Sequence, residues 1–151
     1  MELEQNRIPN FRPDGYLPEG LFLASEAEVT FRFGTSNRKR RRLVIRVRRW
    51  IALARKIKAR RLFIDGSFVT EKPEPNDVDA VALLPLVPLD FEDQIRASSD
   101  TACEFEEMLL TRRPEEIFAA EDETDWNEWV EFFSRTREAD GRRKGLVEVE
   151  L

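Results

Sequence analysis

Two aspartates one residue apart, Asp77 and Asp79, open the apolar run DVDAVALLP, and a Gly-Ser pair, Gly66-Ser67, closes the apolar run RLFID upstream of them. On an extended strand residues i and i+2 share a face, so the two carboxylates project together while Val78, Ala80 and Ala82 face the other way. Parallel carboxylates repel unless a cation sits between them. That suits Mg²⁺ or Mn²⁺, hard ions that take one or two carboxylates and complete their shell with water and substrate phosphate. An isolated Asp-x-Asp is commonly a solvated turn end. A Gly-Ser directly after a strand changes that reading, because Gly66 lets backbone N–H groups approach a phosphate and the Ser67 hydroxyl adds a donor.

Composition narrows the chemistry further. The chain has no histidine and one cysteine, Cys103, which excludes internal disulfides, Cys/His zinc sites and histidine-based triads. Catalysis would fall to carboxylates, hydroxyls, Lys/Arg and a borrowed metal ion. The net charge of -5 hides an asymmetry: residues 38 to 61 hold 13 Lys/Arg and no acid, while residues 62 to 151 hold 24 of the 30 acids. The N-terminus lacks the layout of a signal peptide, and the longest apolar run, AVALLPLVPL, is short and broken by prolines. We therefore expect no membrane partner and a cytoplasmic location.

The elements that must position these residues read as follows. At 151 residues with 41% hydrophobic content the chain has the size of a single domain. Residues 1–24, rich in Pro and Gly turns, are expected to form an N-terminal arm, and 25–151 the domain. Ser25 and Glu28 form a capping box that opens a short helix ending near Gly34. A basic helix follows over 38–61, with Leu43, Val47, Trp50, Ile51, Ala54 and Ile57 on its apolar face. Its opposite, arginine-rich face, including Arg40, Arg41 and Arg48, is expected to meet solvent and an anionic partner, RNA or a protein surface. RLFID, DVDAVALLP and EEIFAA are predicted strands, residues 90–110 a helix, and a further helix capped by Thr124 or Asp125 carries Trp126, Trp129, Phe132 and Phe133 into the core. LVEVEL closes the chain as an edge strand with Glu148 and Glu150 on its wet face. Cys103 is read as a small buried hydrophobe. Asp65 is more often a turn residue at such a position than a metal neighbour.

Gly66-Ser67, the spacer 68–76 and Asp77-Val78-Asp79 resemble the signature of the nucleotidyltransferase superfamily with the polymerase-beta-type fold: an apolar residue, Gly-Gly or Gly-Ser, a spacer, then acid-apolar-acid. Over most of the chain, from NFRPDGYLPEGLF to GRRKGLVEVEL, the sequence is similar to a bacterial family of short nucleotidyltransferase-like proteins of unknown function. The resemblance implies an α/β (α+β) fold, a small mixed sheet flanked by helices. It also implies a Gly66-Ser67 turn that holds a nucleoside triphosphate, and metal at Asp77 and Asp79. The superfamily's third carboxylate, on a neighbouring strand, corresponds best to Glu116, with Glu115 one register slip away. Three functions follow as expectations. The first is metal-dependent transfer of a nucleoside monophosphate to a hydroxyl of an RNA or protein acceptor. The second is a catalytically weak binding module of a toxin-antitoxin or defence system, and the third a nucleic-acid binder acting through the basic helix.

Overall fold

The computed structural model describes residues 7–85 and 115–151. The predicted helix over 90–110, and Cys103 with it, lies outside the described residues. Among these, five strands form one mixed sheet in the order β1-β5-β2-β3-β4: β1 (Gly20–Ala24), β2 (Arg61–Asp65), β3 (Val78–Leu83), β4 (Glu115–Ala120) and β5 (Gly145–Val149). β1 runs parallel to β5 and β3 parallel to β4, while β2 is antiparallel to both β3 and β5. With helices α1 (Glu26–Phe33), α2 (Arg38–Lys56) and α3 (Glu123–Phe133), this is the small mixed sheet with flanking helices that the sequence predicts.

Strand periodicity sorts the side chains into two layers. Leu62, Ile64, Val78, Ala80, Ala82, Val147 and Val149 pack with the apolar stripe of α2 and with Val29 and Phe33 of α1. Phe63, Val81, Leu83, Ala120 and Leu146 face the opposite way and pack with Trp126. On that side α3 supplies an aromatic lid: Trp126 meets Phe63 edge-on at 5.2 Å, and Trp129 stacks on Phe118 at 4.8 Å.

Local chemistry sets the helix ends. The Ser25 hydroxyl accepts from the Glu28 N–H at 3.1 Å while the Glu28 carboxylate accepts from the Ser25 N–H at 3.1 Å, and α1 stops at Gly34. α2 is capped by Asn37 and ends at Lys56, short of the expected 61, because Lys58 turns into the left-handed region (φ 55°) and Arg61 already belongs to β2. The cap of α3 is Asp122, whose side chain accepts from the Asp125 N–H at 2.8 Å; it displaces the expected Thr124 or Asp125. No helix among the described residues is long and apolar enough to cross a membrane.

Two expectations are corrected at the sheet's edge. The segment read as an arm carries β1, and its Ile8 and Leu17 are buried in the same core as α1 and α2. GLFLA is a short strand whose partner lies at the other end of the sequence, so local pattern alone cannot reveal it. β5, read as an edge strand, lies between β1 and β2. Glu148 there is held by Arg61 at 2.7 and 2.8 Å instead of facing open water. The chain backbones also approach closely here: a Cβ on Gly145 would lie 2.2 Å from the Pro18 carbonyl oxygen.

Candidate functional site

β2 and β3 are antiparallel neighbours, and their register sets Asp65 opposite Asp79; β3 and β4 are parallel neighbours, and their register sets Asp79 beside Glu116. Three acids on three consecutive strands therefore stand level across the sheet. Glu115 pairs with Val78 instead, so the register selects Glu116 as the residue beside Asp79. Asp77 immediately precedes β3.

The turn between β2 and β3 brings the Gly-Ser pair onto Asp77. Gly66 adopts φ 93°, and a Cβ there would lie 3.0 Å from both the Asp77 carbonyl oxygen and the Val78 Cα, so glycine is required on both conformational and steric grounds. Ser67 then donates its backbone N–H to Asp77 Oδ1 at 2.9 Å and its hydroxyl to the same oxygen at 2.5 Å. The Ser67 Oγ also accepts from the N–H groups of Asn76 and Asp77 at 3.0 and 3.2 Å. The two donors that the sequence assigns to a phosphate are thus aimed at a carboxylate in this arrangement.

Asp65, Ser67, Asp77 and Asp79 share one cleft of about 1090 Å³, lined also by Lys39, Lys72, Lys144, Arg135 and Arg137. Carboxylates and cations that line one cleft suit a metal-bound polyphosphate better than either a bare cation or a bare anion. Asp65 is a strand-end residue and not the turn residue expected. It is 2% exposed and is gripped by Lys144 Nζ at 2.8 and 2.9 Å. Burial pushes its carboxyl above the usual aspartate range, and Asp77 adds to that push, while the Lys144 ammonium and the Gly66 N–H pull the other way. Lys144 also donates its backbone N–H to the Ser134 carbonyl at the end of α3, so one residue links the lid helix to the acid row. Sequence reasoning missed it because the two partners are 79 residues apart. The one available signal is the position of Lys144 directly before a strand.

Residues 9–150 match a family described as a family of unknown function, DUF6932. The chain belongs to it. No curated protein and no solved structure matches, so what this DUF6932 chain does must be argued from its own residues.

The arginines of α2 in the DUF6932 chain do not form the uniform solvent face expected. Arg40 is 5% exposed and donates to the carbonyl oxygens of Phe33 and Phe68 at 3.1 and 2.7 Å and of Thr70 and Lys72 at 2.8 and 2.5 Å. It is a structural residue that pins the 67–72 segment, and hence the Ser67 turn, to the start of α2. The amphipathic pattern of the helix places it on the polar side, but the loop folds back over that side and burial wins. Arg48 is exposed and meets the Glu26 carboxylate at 3.1 Å, and Arg41 is exposed with a long contact of 3.4 Å to the Thr35 carbonyl. The lid is corrected too: Trp126 is buried and Trp129 and Phe133 are half-buried, as a core reading requires, but Phe132 is 59% exposed and lines the cleft. No group of three or more Asp, Glu, Cys or His side chains suited to a metal occurs among the described residues, and the side chain of Glu116 is not among them.

Proposed function

We propose that this chain is a metal-dependent nucleotidyltransferase that moves a nucleoside monophosphate from a nucleoside triphosphate to a hydroxyl of an RNA or protein acceptor in the cytoplasm. One observation carries the reading: the Ser67 N–H and O–H converge on Asp77 in a cleft that also holds Asp79. Phosphate-type donors and a metal-type carboxylate therefore meet at a single point. The donor set fits a hard ion, since Asp77 and Asp79 offer carboxylate oxygens and the described residues that line the cleft include no Cys, Met or His. Asp77 and Asp79, with Glu116 beside them in register, would hold Mg²⁺ or Mn²⁺, which when bound supplies charge neutralisation and alignment for an in-line displacement.

The chain's own residues account for the rest. As a triphosphate enters, Ser67 exchanges its Asp77 acceptor for a phosphate oxygen and Asp77 is released to its metal role. Lys39, already held by Asn76 at 3.1 Å, and Lys72 lie at the rim, where the departing pyrophosphate needs cations. The acceptor hydroxyl attacks the α-phosphorus, the bond to pyrophosphate breaks, and Asp79 or Glu116 takes the hydroxyl proton. Arg41, Arg48 and neighbouring exposed arginines of α2 offer an acceptor polyanion a sequence-independent surface. One observation favours the second reading, a weakly catalytic binding module: Lys144 already engages Asp65, which leaves Glu116 as the third acid of the row across β2, β3 and β4.

Incubation with α-labelled or γ-labelled nucleotide, divalent metal, and RNA, a co-purified protein or the chain itself as acceptor tests the reading. Label is expected on an acceptor from the α position only, and is expected to be lost in Asp77→Asn and Asp79→Asn. Transfer from the γ position would mean a kinase-like reaction. Tight nucleotide binding with no transfer to any acceptor would leave the binding module.

A further inference from the structure

Phe132 is out of place for a residue serving only the core. The helix α3 packs through Trp126, Trp129, Val130 and Phe133, while Phe132, next to Phe133 in sequence, leaves 59% of its surface in water. Burial of such a ring is favourable, and most of that gain is forgone here. The ring is nonetheless held in position. Trp129 and Phe133 meet it edge-on at 6.1 and 5.1 Å, with interplanar angles of 89° and 84°. It also lines the cleft of Ser67, Asp77 and Asp79. The exposed Phe31 of α1, by contrast, is not among the residues that line this cleft.

We infer that Phe132 is a stacking platform for the base of the nucleotide, an inference that rests on the nucleotide reading of the cleft. Three observations select a base over other occupants. Phe132 offers an exposed aromatic ring to a cleft whose lining is otherwise mostly polar, so it suits the neutral, flat part of a ligand. The same cleft holds Ser67, Asp77 and Asp79, the groups assigned above to the polyphosphate and its metal. Arg135 and Arg137, three and five residues after Phe132, line the same cleft and add cations to it. A ligand with a flat π-system at one end and a polyphosphate at the other meets all three demands. Stacking on one ring tolerates any base but favours the larger purines.

The test uses the full chain as wild type, Phe132→Ala and Phe132→Trp, titrated with ATP, UTP and inorganic tripolyphosphate in Mg²⁺, by calorimetry and by the fluorescence of neighbouring Trp129. Loss of a base–aromatic stack costs roughly fivefold to a hundredfold in affinity. Phe132→Ala is therefore expected to weaken ATP about tenfold, to weaken UTP less, and to leave tripolyphosphate unchanged. Phe132→Trp is expected to restore ATP binding. Equal ATP affinity in wild type and Phe132→Ala would overturn the inference. So would a loss shared equally by ATP and tripolyphosphate, which would mark a structural effect. If wild type binds tripolyphosphate as tightly as ATP and UTP, the platform fails and the phosphate site stands. If it binds neither ligand, the nucleotide reading and the platform fall together. Sedimentation that shows Phe132→Ala dissociating a self-association would make the ring an interface residue and also overturn the inference.

Discussion

The two faces of the sheet are covered to different extents. Under α1 and α2 every inward position of β2 and β3 is aliphatic and buried, from Leu62 and Ile64 to Val78, Ala80 and Ala82. Under α3 the same strands offer Phe63, Val81 and Leu83 to the lid, but beyond them Asp65 and Asp79 take the next positions in line, and α3 ends at Phe133. The cleft opens where the covering helix runs out. One strand can thus serve a closed core and an open site at once, because its period of two delivers an acid and an alanine to opposite sides. Even the charges differ in kind. On the closed face Arg40 is consumed by four carbonyls, while on the open face Asp77 and Asp79 line a cleft.

The largest effect is expected on the closed face. Arg40→Met strands buried carbonyl oxygens of Phe33, Phe68 and Thr70 and should cost about 3 kcal/mol of unfolding free energy in urea, given roughly 1–3 kcal/mol for each unsatisfied buried group and partial relaxation. Arg41→Glu and Arg48→Glu, on the same helix but exposed, should stay within about 0.5 kcal/mol of wild type and act instead on RNA retention at low salt. A comparable loss in all three variants would erase the distinction between buried and exposed arginines.

A reversal of sign is expected on the open face. Asp77→Ala should bind metal-free tripolyphosphate more tightly than wild type, roughly tenfold, because a competing carboxylate leaves the Ser67 donors and one repulsive charge disappears. The same variant should lose the gain that Mg²⁺ gives to wild type. Calorimetry with and without metal reads both. Weaker binding in both conditions would mean that Asp77 only shapes the turn.

The smallest effect is a slope. Asp65 has its proton affinity raised in the folded state, so the folded protein holds that proton at pH values where the unfolded chain has released it. Stability should fall as pH rises from the ordinary aspartate value of 3.8 through the raised one, and then level off. Asp65→Asn should flatten that segment of the curve of unfolding free energy against pH. An unchanged slope would show that Lys144 compensates the carboxylate fully.

Features encoded by neighbours in sequence were legible, and those built from distant partners were not. RLFID and EEIFAA are strands at the predicted residues, and the Ser25-Glu28 box opens α1, because cap and strand signals are local. Gly66, Ser67, Asp77 and Asp79 could be named from spacing, and they do line one cleft. The Asp65–Lys144 pair, β1 on β5 and the loop over Arg40 each join segments far apart, so composition and periodicity carry no trace of them. Phe132 and Phe133 are adjacent aromatics on one helix, and a helical stripe can include either. The packing of Phe133 against Phe63, with ring centroids 5.8 Å apart, decides which one the core takes.

The position of β5 also bears on the order of events during synthesis. It is the last described strand to be made, yet it fills the gap between β1 and β2. Until residues 145–149 emerge, β1 has no hydrogen-bonded neighbour and β2 shows an open edge, the kind of surface that pairs wrongly with other chains. Lys144 arrives with the same segment, so Asp65 waits for its counter-charge until the sheet closes. A partly synthesised chain could therefore form the β2–β3 pair that sets Gly66, Ser67, Asp77 and Asp79, while Asp65 beside them still lacks Lys144 and β2 still lacks its second neighbour.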